Sequence, residues 1–212
     1  MEQRWNDIHT RGDRYHCLVD FLKNGQDLDA VEWGFGDPAR CEALDRFFGR
    51  YQAIDLCATL LVEKLADGRA PFAYRDANLN DDLPFSDQRF DVSIAMMVIE
   101  HLFDPFHSFK ELARTTKKGG YVFVNLPLLS SIKNRFDVLC GRLPMTSSKD
   151  WWQYRQWDGG HLHYFTIATV HRLAIENGLT PLGLYAVGRA LWLKTLAPSL
   201  FCHEGRFVFQ RV

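Results

Sequence analysis

No two of the five cysteines, Cys17, Cys41, Cys57, Cys140 and Cys202, stand at C-x-x-C spacing, and their count is odd. A thiolate zinc site and a disulfide framework are therefore not expected, and the thiols are read as reduced and buried. No apolar run is long enough to cross a bilayer, so no membrane insertion is expected. The opening residues Met-Glu-Gln-Arg-Trp-Asn-Asp are polar and lack the apolar centre of a signal peptide, which makes the cytoplasm the expected location. There is no long basic run, and 25 basic residues against 26 acidic ones give a net charge of −1. No global field draws the chain to nucleic acid, and no nucleic-acid partner is expected. Repeats and low-complexity stretches are absent, and 212 residues suit a single domain over 1–212.

What is present is an alternation of strand and helix patterns. Apolar residues at helical spacing predict a helix over Arg14–Lys23, closed by Asn24-Gly25. Further helices are predicted over Ala39–Phe48, Thr59–Ala66, Pro105–Thr115 and Ile167–Asn177. Short apolar runs predict strands over Leu28–Phe35, Tyr51–Leu56, Phe72–Arg75, Asp91–Met97, Tyr121–Asn125, Leu182–Val187 and Arg206–Val212. This rhythm implies an α/β, Rossmann-like, doubly wound and mainly parallel seven-stranded sheet with helices on both faces. Leu128–His163 breaks the rhythm. It is rich in aromatic residues and weakly periodic, and reads as an insertion after the fifth strand, a lid over the open end of the sheet.

Chemistry concentrates where strands end. In Glu32-Trp33-Gly34-Phe35-Gly36-Asp37 a strand enters a glycine turn and a helix follows. Bare backbone at Gly34 and Gly36 lets a ligand approach closely, and Glu32 could accept from an amino group; a plain tight connection reads the same way. Asp55 lies about 20 residues past Gly34, where an acid can bind the two hydroxyls of a ribose, although it could equally cap the next helix. Asp76-Ala77 follows the third strand and could meet an adenine amino group, or be one loop acid beside Asp81 and Asp82.

The most specific stretch runs Leu83-Pro84-Phe85, Phe90-Asp91, Glu100-His101-Leu102, Pro105, Glu111-Leu112 and Arg114, then Lys118-Gly119-Gly120. In order and spacing it resembles the class I S-adenosylmethionine-dependent methyltransferases, in particular small cytosolic enzymes of the type 11 and 23 groups, and the resemblance returns at His161-Leu162-His163-Tyr164-Phe165-Thr166. It implies S-adenosylmethionine as cofactor, with S-adenosylhomocysteine as product. It also implies roles for single residues. Glu32 would stand near the methionine amino end, and Gly34, Phe35 and Gly36 would line the methionine and ribose portion. Asp55 would bind the ribose and Leu56 pack on the adenine. Asp76 would bind the adenine amino group, with the Ala77 amide beside it, and Ala95 and Met96 would lie by the sulfonium. The sequence departs from the family at Phe35, where a cysteine is usual, and at Pro38, which replaces a third glycine; a proline is tolerated in a helix's first turn.

A sulfonium is an activated methyl donor, so an enzyme need only align a nucleophile and exclude water. His101 is the candidate general base, or else it orients the following helix. Glu100-His101 resembles the end of the Glu-x-x-Glu-His metal motif of certain methyltransferases, and His161 or His163 could supply a further ligand, but Met97 replaces the first glutamate, and no metal is expected. Trp151, Trp152, His161, His163 and Tyr164 are read as walls of an acceptor pocket, with His161 and His163 pointing one way from an extended segment; the alternative is a loop anchored by its aromatics. A small-molecule acceptor is the expected partner. Two other readings stay open: a nicotinamide-dependent oxidoreductase, which lacks its Ser/Tyr-x-x-x-Lys set here, and a methyltransferase-like scaffold without activity.

Overall fold

The computed structural model describes residues 15–34, 36–63, 68, 70–147, 155–186 and 191–212. Among them a seven-stranded sheet is ordered β3-β2-β1-β4-β5-β7-β6. The strands are β1 (Gly25–Trp33), β2 (Phe48–Asp55), β3 (Ala73–Asp76), β4 (Phe90–Met96), β5 (Thr116–Pro127), β6 (Leu179–Tyr185) and β7 (Glu204–Arg211). β1 to β5 pair in parallel, and β7 runs antiparallel between β5 and β6. The helices are α1 (His16–Leu22), α2 (Pro38–Phe47), α3 (Ala58–Glu63), α4 (Pro105–Thr115), α5 (Ile132–Leu139), α6 (Ile167–Glu176), α7 (Leu191–Leu196) and α8 (Pro198–Phe201). Short 3₁₀ turns cover Ile99–His101 and Trp157–Gly160. No helix among the described residues is long and apolar enough to cross a membrane.

The two-residue period of the strands sorts their side chains into two cores. Val31, Trp33, Val122, Val124, Phe207 and Phe209 pack with Phe109 and Leu112 of α4 and Val170 and Ala174 of α6. Ala30, Ala53, Val92, Ile94, Phe123 and Val208 pack with Leu18 of α1, Leu44 of α2 and Val62 of α3. Helix starts repeat one device. Asp37 caps α2 through the Ala39 amide and Asp104 caps α4 through the Phe106 amide, with proline next in each case. Pro38 thus seats the helix after the glycine turn. Thr166 and Thr169 form a reciprocal cap at the start of α6.

All seven expected strands are found, with shifted ends. β5 starts five residues before the expected Tyr121, because Gly119 (φ 78°) and Gly120 carry it past the register shift between Phe90 and Val92. A side chain on Gly120 would sit 2.7 Å from the Asp91 carbonyl oxygen, so these glycines belong inside the strand, although in sequence they read as its edge. The insertion holds a helix, α5, that was not expected: Ile132, Phe136 and Leu139 stand at helical spacing, but they are exposed, and of its residues only Asn134 is buried. Cys57 and Cys140 are exposed, against the expectation of buried thiols; both lie in turns that open to solvent, whereas Cys17, Cys41 and Cys202 are buried.

Two polar groups are built into the cores. Glu111 of α4 accepts from the Leu83 amide and pairs with Arg114, whose guanidinium also reaches the carbonyls of Leu83 and Phe85 and the carboxylate of Asp87. The Leu83–Asp87 loop is thereby tied to α4. On the other face Glu32, 1% exposed, accepts from the hydroxyls of Tyr15 and Tyr51, with the Cys41 Sγ 3.8 Å away. Burial pushes its carboxyl up to about 7, even though both tyrosines favour the charged form.

Replacing Glu111 by Ala leaves the Leu83 amide without its acceptor and Arg114 with Asp87 as its one carboxylate partner, and is expected to lower stability by about 2 kcal/mol in denaturant titration. For Glu32 the folded value lies above the ordinary 4.5. The native state therefore holds the proton more tightly, and stability falls as pH rises from about 4.5 to 7. Glu32→Gln should remove that part of the slope, which melting curves of both proteins across this range would read.

Candidate functional site

β1 pairs with β2 on one side and β4 on the other, so the chain order reverses between them. In open parallel sheets a ligand crevice forms at such a point, beyond the carboxyl ends of the strands. The register sets those ends side by side: Trp33 pairs with Ile54 and Ala95, Asp55 with Asp76, and Met96 with Asn125.

At the end of β1, Gly34 takes φ 79° and donates its amide to the Ile54 carbonyl at 2.9 Å. A side chain there would meet Val98, 2.9 Å from the Cβ position, while the space beside Gly36 is open. A cavity of about 270 Å³ lies against the turn, lined by Tyr15, Gly34, Gly36, Asp37, Arg40 and Met96. Arg40 and Asp37 pair at 2.9 Å, which sets a cation and an anion on its wall. Tyr15, Asp37 and Arg40 were not singled out in the sequence. Asp37 and Pro38 read there only as the start of a helix, and Tyr15 arrives from α1, far away in the chain.

The structure distributes the expected cofactor residues as follows. Asp55 is half-buried at the end of β2, and its Oδ1 accepts from the Cys57 amide. Leu56, next along the edge, is 64% exposed. Both Asp76 oxygens accept from Thr59, one from its amide and one from its hydroxyl; this holds the carboxyl below its ordinary value and caps α3. The Ala77 amide, expected to face an adenine, donates to the Asp55 carbonyl at 2.8 Å, because the ladder continues one residue past β3. Met96 borders the cavity, whereas Ala95 faces the opposite core and is fully buried, as strand alternation requires. Glu32, on the same face as Met96, is turned into the tyrosine network. Phe35 lies outside the described residues.

Beyond Met96, Val98 packs at the glycine turn and the His101 amide bonds to its carbonyl. His101 therefore stands one chain turn from the crevice. Its ring is exposed, and Nδ1 lies 3.1 Å from the Gly160 carbonyl. A carbonyl only accepts, so Nδ1 carries the proton and Nε2 keeps a lone pair. The Leu162 and His163 amides both bond to the Glu100 carbonyl, which fastens the far end of the insertion to this turn.

His161 and His163 do not share one wall. The segment between them is irregular, so the expected alternation fails. His161 is buried and bonded to Thr146 Oγ1 at 2.7 Å. His163 donates Nε2–H to the Phe103 carbonyl and, with Tyr164, lines a different cavity, of about 360 Å³, between α4 and α6. Phe165 is buried and bridges to Leu128. Trp151 and Trp152 lie outside the described residues. A further cavity, of about 380 Å³, lies beside α5 and is lined by Leu129, Ser130, Asn134, Arg135, Val138, Pro144 and Thr166.

Comparison with known proteins agrees with this geometry. Residues 31–124 match the family described as a methyltransferase domain. An S-adenosylmethionine-dependent methyltransferase from Mesorhizobium loti superposes with a TM-score of 0.67 at 14% identity, covering 94% of this chain and 99% of that one. A methyltransferase of the same dependence from Aquifex aeolicus gives 0.62 at 14%, covering 94% and 90%. The [4+2]-cyclase SpnF gives 0.63 at 14%, covering 92% and 80%. No curated protein matches the sequence. Over residues 31–124, with their glycine turn, the chain is similar to the methyltransferase-domain family, and the sheet order around that segment is the fold it shares with these solved methyltransferases.

Proposed function

We propose that this protein transfers a methyl group from S-adenosylmethionine to a small acceptor held beneath the 128–163 insertion. The observation that carries the reading is the row of groups along one sheet edge: a cavity at the glycine turn walled by Asp37, Arg40 and Met96, followed by Asp55 and Leu56. These groups fit the cofactor. Arg40 and Asp37 suit the carboxylate and ammonium of its methionine end, Gly34 and Gly36 leave room for it, and Phe35 is proposed as a further contact. Asp55 suits the ribose hydroxyls, and the exposed Leu56 offers an apolar surface to the adenine. Asp76 retains lone pairs for an adenine amino group beyond those that Thr59 uses. Glu32 supports the turn from within and does not touch the ligand.

When bound, S-adenosylmethionine supplies a methyl group on a positively charged sulfur. His101 takes the acceptor's proton at Nε2, since Nδ1 is fixed on Gly160. The insertion limits water, and its anchors at Glu100 and Phe103 keep it on the crevice. The cavity beside α5 supports the reading of a small acceptor: the buried Oδ1 of Asn134 and Oγ of Ser130 have no hydrogen-bond partner among the described residues and could orient one. Trp151 and Trp152 are the further acceptor contacts proposed, while His163 and Tyr164 line the separate cavity between α4 and α6. A net charge of −1 argues for a small molecule over nucleic acid, and tight methylation of a defined RNA would overturn that choice.

In calorimetric titration, S-adenosylhomocysteine should bind the wild type, and Asp55→Ala should weaken binding by roughly 10-fold or more, the loss expected when a buried hydroxyl contact is removed. Absence of binding to the wild type would turn the assignment to a scaffold. With any acceptor found by screening with labelled donor, His101→Ala should lower kcat on the order of 10²-fold while leaving S-adenosylhomocysteine affinity unchanged.

A further inference from the structure

His101 has two neighbours whose chemistry the proton-acceptor role does not use. Among the described residues, Glu100, His101 and His161 each place one ligand atom within 4.8 Å of the others. The carboxyl of Glu100 and the ring of His161 are buried, and the His101 ring is exposed. The imidazoles meet edge to face, with centroids 4.9 Å apart.

Both rings are held in one tautomer. His101 donates Nδ1–H to the Gly160 carbonyl. Thr146 Oγ1 gives its single proton to Asp158 at 2.8 Å, so toward His161 it can only accept, and His161 also carries its proton on Nδ1. Each ring is left with its lone pair on Nε2. The relay Asp158–Thr146–His161 has the form of the outer support that orients a metal-binding histidine and raises its basicity.

The loop that carries this relay is strained. Asp158 (φ 39°), Gly159 (φ 68°) and Gly160 (φ 83°) are consecutive left-handed residues, and an aspartate is seldom held so. The backbone turns the Gly160 carbonyl to His101 and the Asp158 carboxylate to Thr146 and Ser147. Burial pushes the Asp158 carboxyl up, but hydrogen bonds from Ser147 and Thr146 outweigh it and hold it below its ordinary value, ionised.

We propose that Glu100, His101 and His161 form a binding site for a divalent transition-metal ion. Two neutral imidazoles and one carboxylate suit zinc, cobalt or manganese over magnesium or calcium, and three protein ligands leave positions open for an acceptor oxygen. The sequence discounted a metal because Met97 stands where the motif has its first glutamate; His161, remote in the chain, supplies the third ligand. The inference rests on the position of His101 in the proposed methyl-transfer site and changes its part there. An ion would polarise the acceptor oxygen in place of a base, and the acceptor's proton would leave to solvent.

The test is titration of the metal-stripped protein with Zn²⁺ by calorimetry and with Co²⁺ by its visible absorption, with no acceptor present. One ion should bind per chain. His161→Asn and Glu100→Gln should each weaken it by more than about 10-fold. Thr146→Val, which touches no ligand atom, should weaken it by roughly 10-fold or more, and Thr146→Ser should restore it. A wild type that binds neither ion, or that binds them equally after Thr146→Val and His161→Asn, overturns the proposal. S-adenosylhomocysteine titration of the same samples reads the methyl-transfer assignment separately, so the two can fail independently.

Discussion

The molecule is organised around one strand that has no free side. β1 is paired along both edges and covered on both faces, and its last five residues, Asp29 to Trp33, are all buried. A strand so enclosed can shift neither in register nor in height, because a slip by one residue would exchange its two cores. What leaves its end is fixed with it: Gly34 in a left-handed turn, Val98 against it, and α2 launched by Asp37 and Pro38. The crevice is thus a property of the sheet's centre, and the loops add chemistry to a position already determined.

Two kinds of polar burial serve different ends. The Glu32 network joins α1, β1 and β2 from beneath the glycine turn. Through Tyr15 it reaches the wall of the cavity at the glycine turn, so the floor and that wall are held by one buried carboxyl. The Asp158 cluster holds the 158–160 turn beside His101 and does so against unfavourable backbone angles. Buried hydrogen bonds to a carboxylate are strong enough to sustain such angles, and strain retained in this way marks places where orientation matters more than stability.

The strands were legible in the sequence because short apolar runs bounded by glycine and polar residues have few other solutions. The fold follows from their alternation with helices. The residues at the carboxyl edge of the sheet were also legible, since Gly34, Asp55 and Met96 each stand at the end of a strand. Other features needed three dimensions. α5 has apolar residues at helical spacing, Ile132, Phe136 and Leu139, but they stay exposed, and the aromatic-rich, mixed-charge stretch around them masked the period. Part of the motif run proved architectural: Glu111 and Arg114 hold the loop that begins Leu83-Pro84-Phe85. The pairing of His161 with His101 depends on a strained turn that no periodicity encodes, and the expectation that His161 and His163 act together failed for the same reason.

The order of the strands carries a consequence for how the chain assembles. β7 lies between β5 and β6, yet follows both in the sequence. As the polypeptide lengthens, β1 to β5 can pair as each appears, since every partner is already made. β6 must wait beside an unfilled slot until residues 204–211 arrive, and the free margin of β5 stays open for the same interval. Unpaired strand margins recruit other strands. The nascent chain is therefore most exposed to misassembly in the interval between β5 and β7, when the five strands that frame the crevice are in place and the sheet is still one strand short of closing.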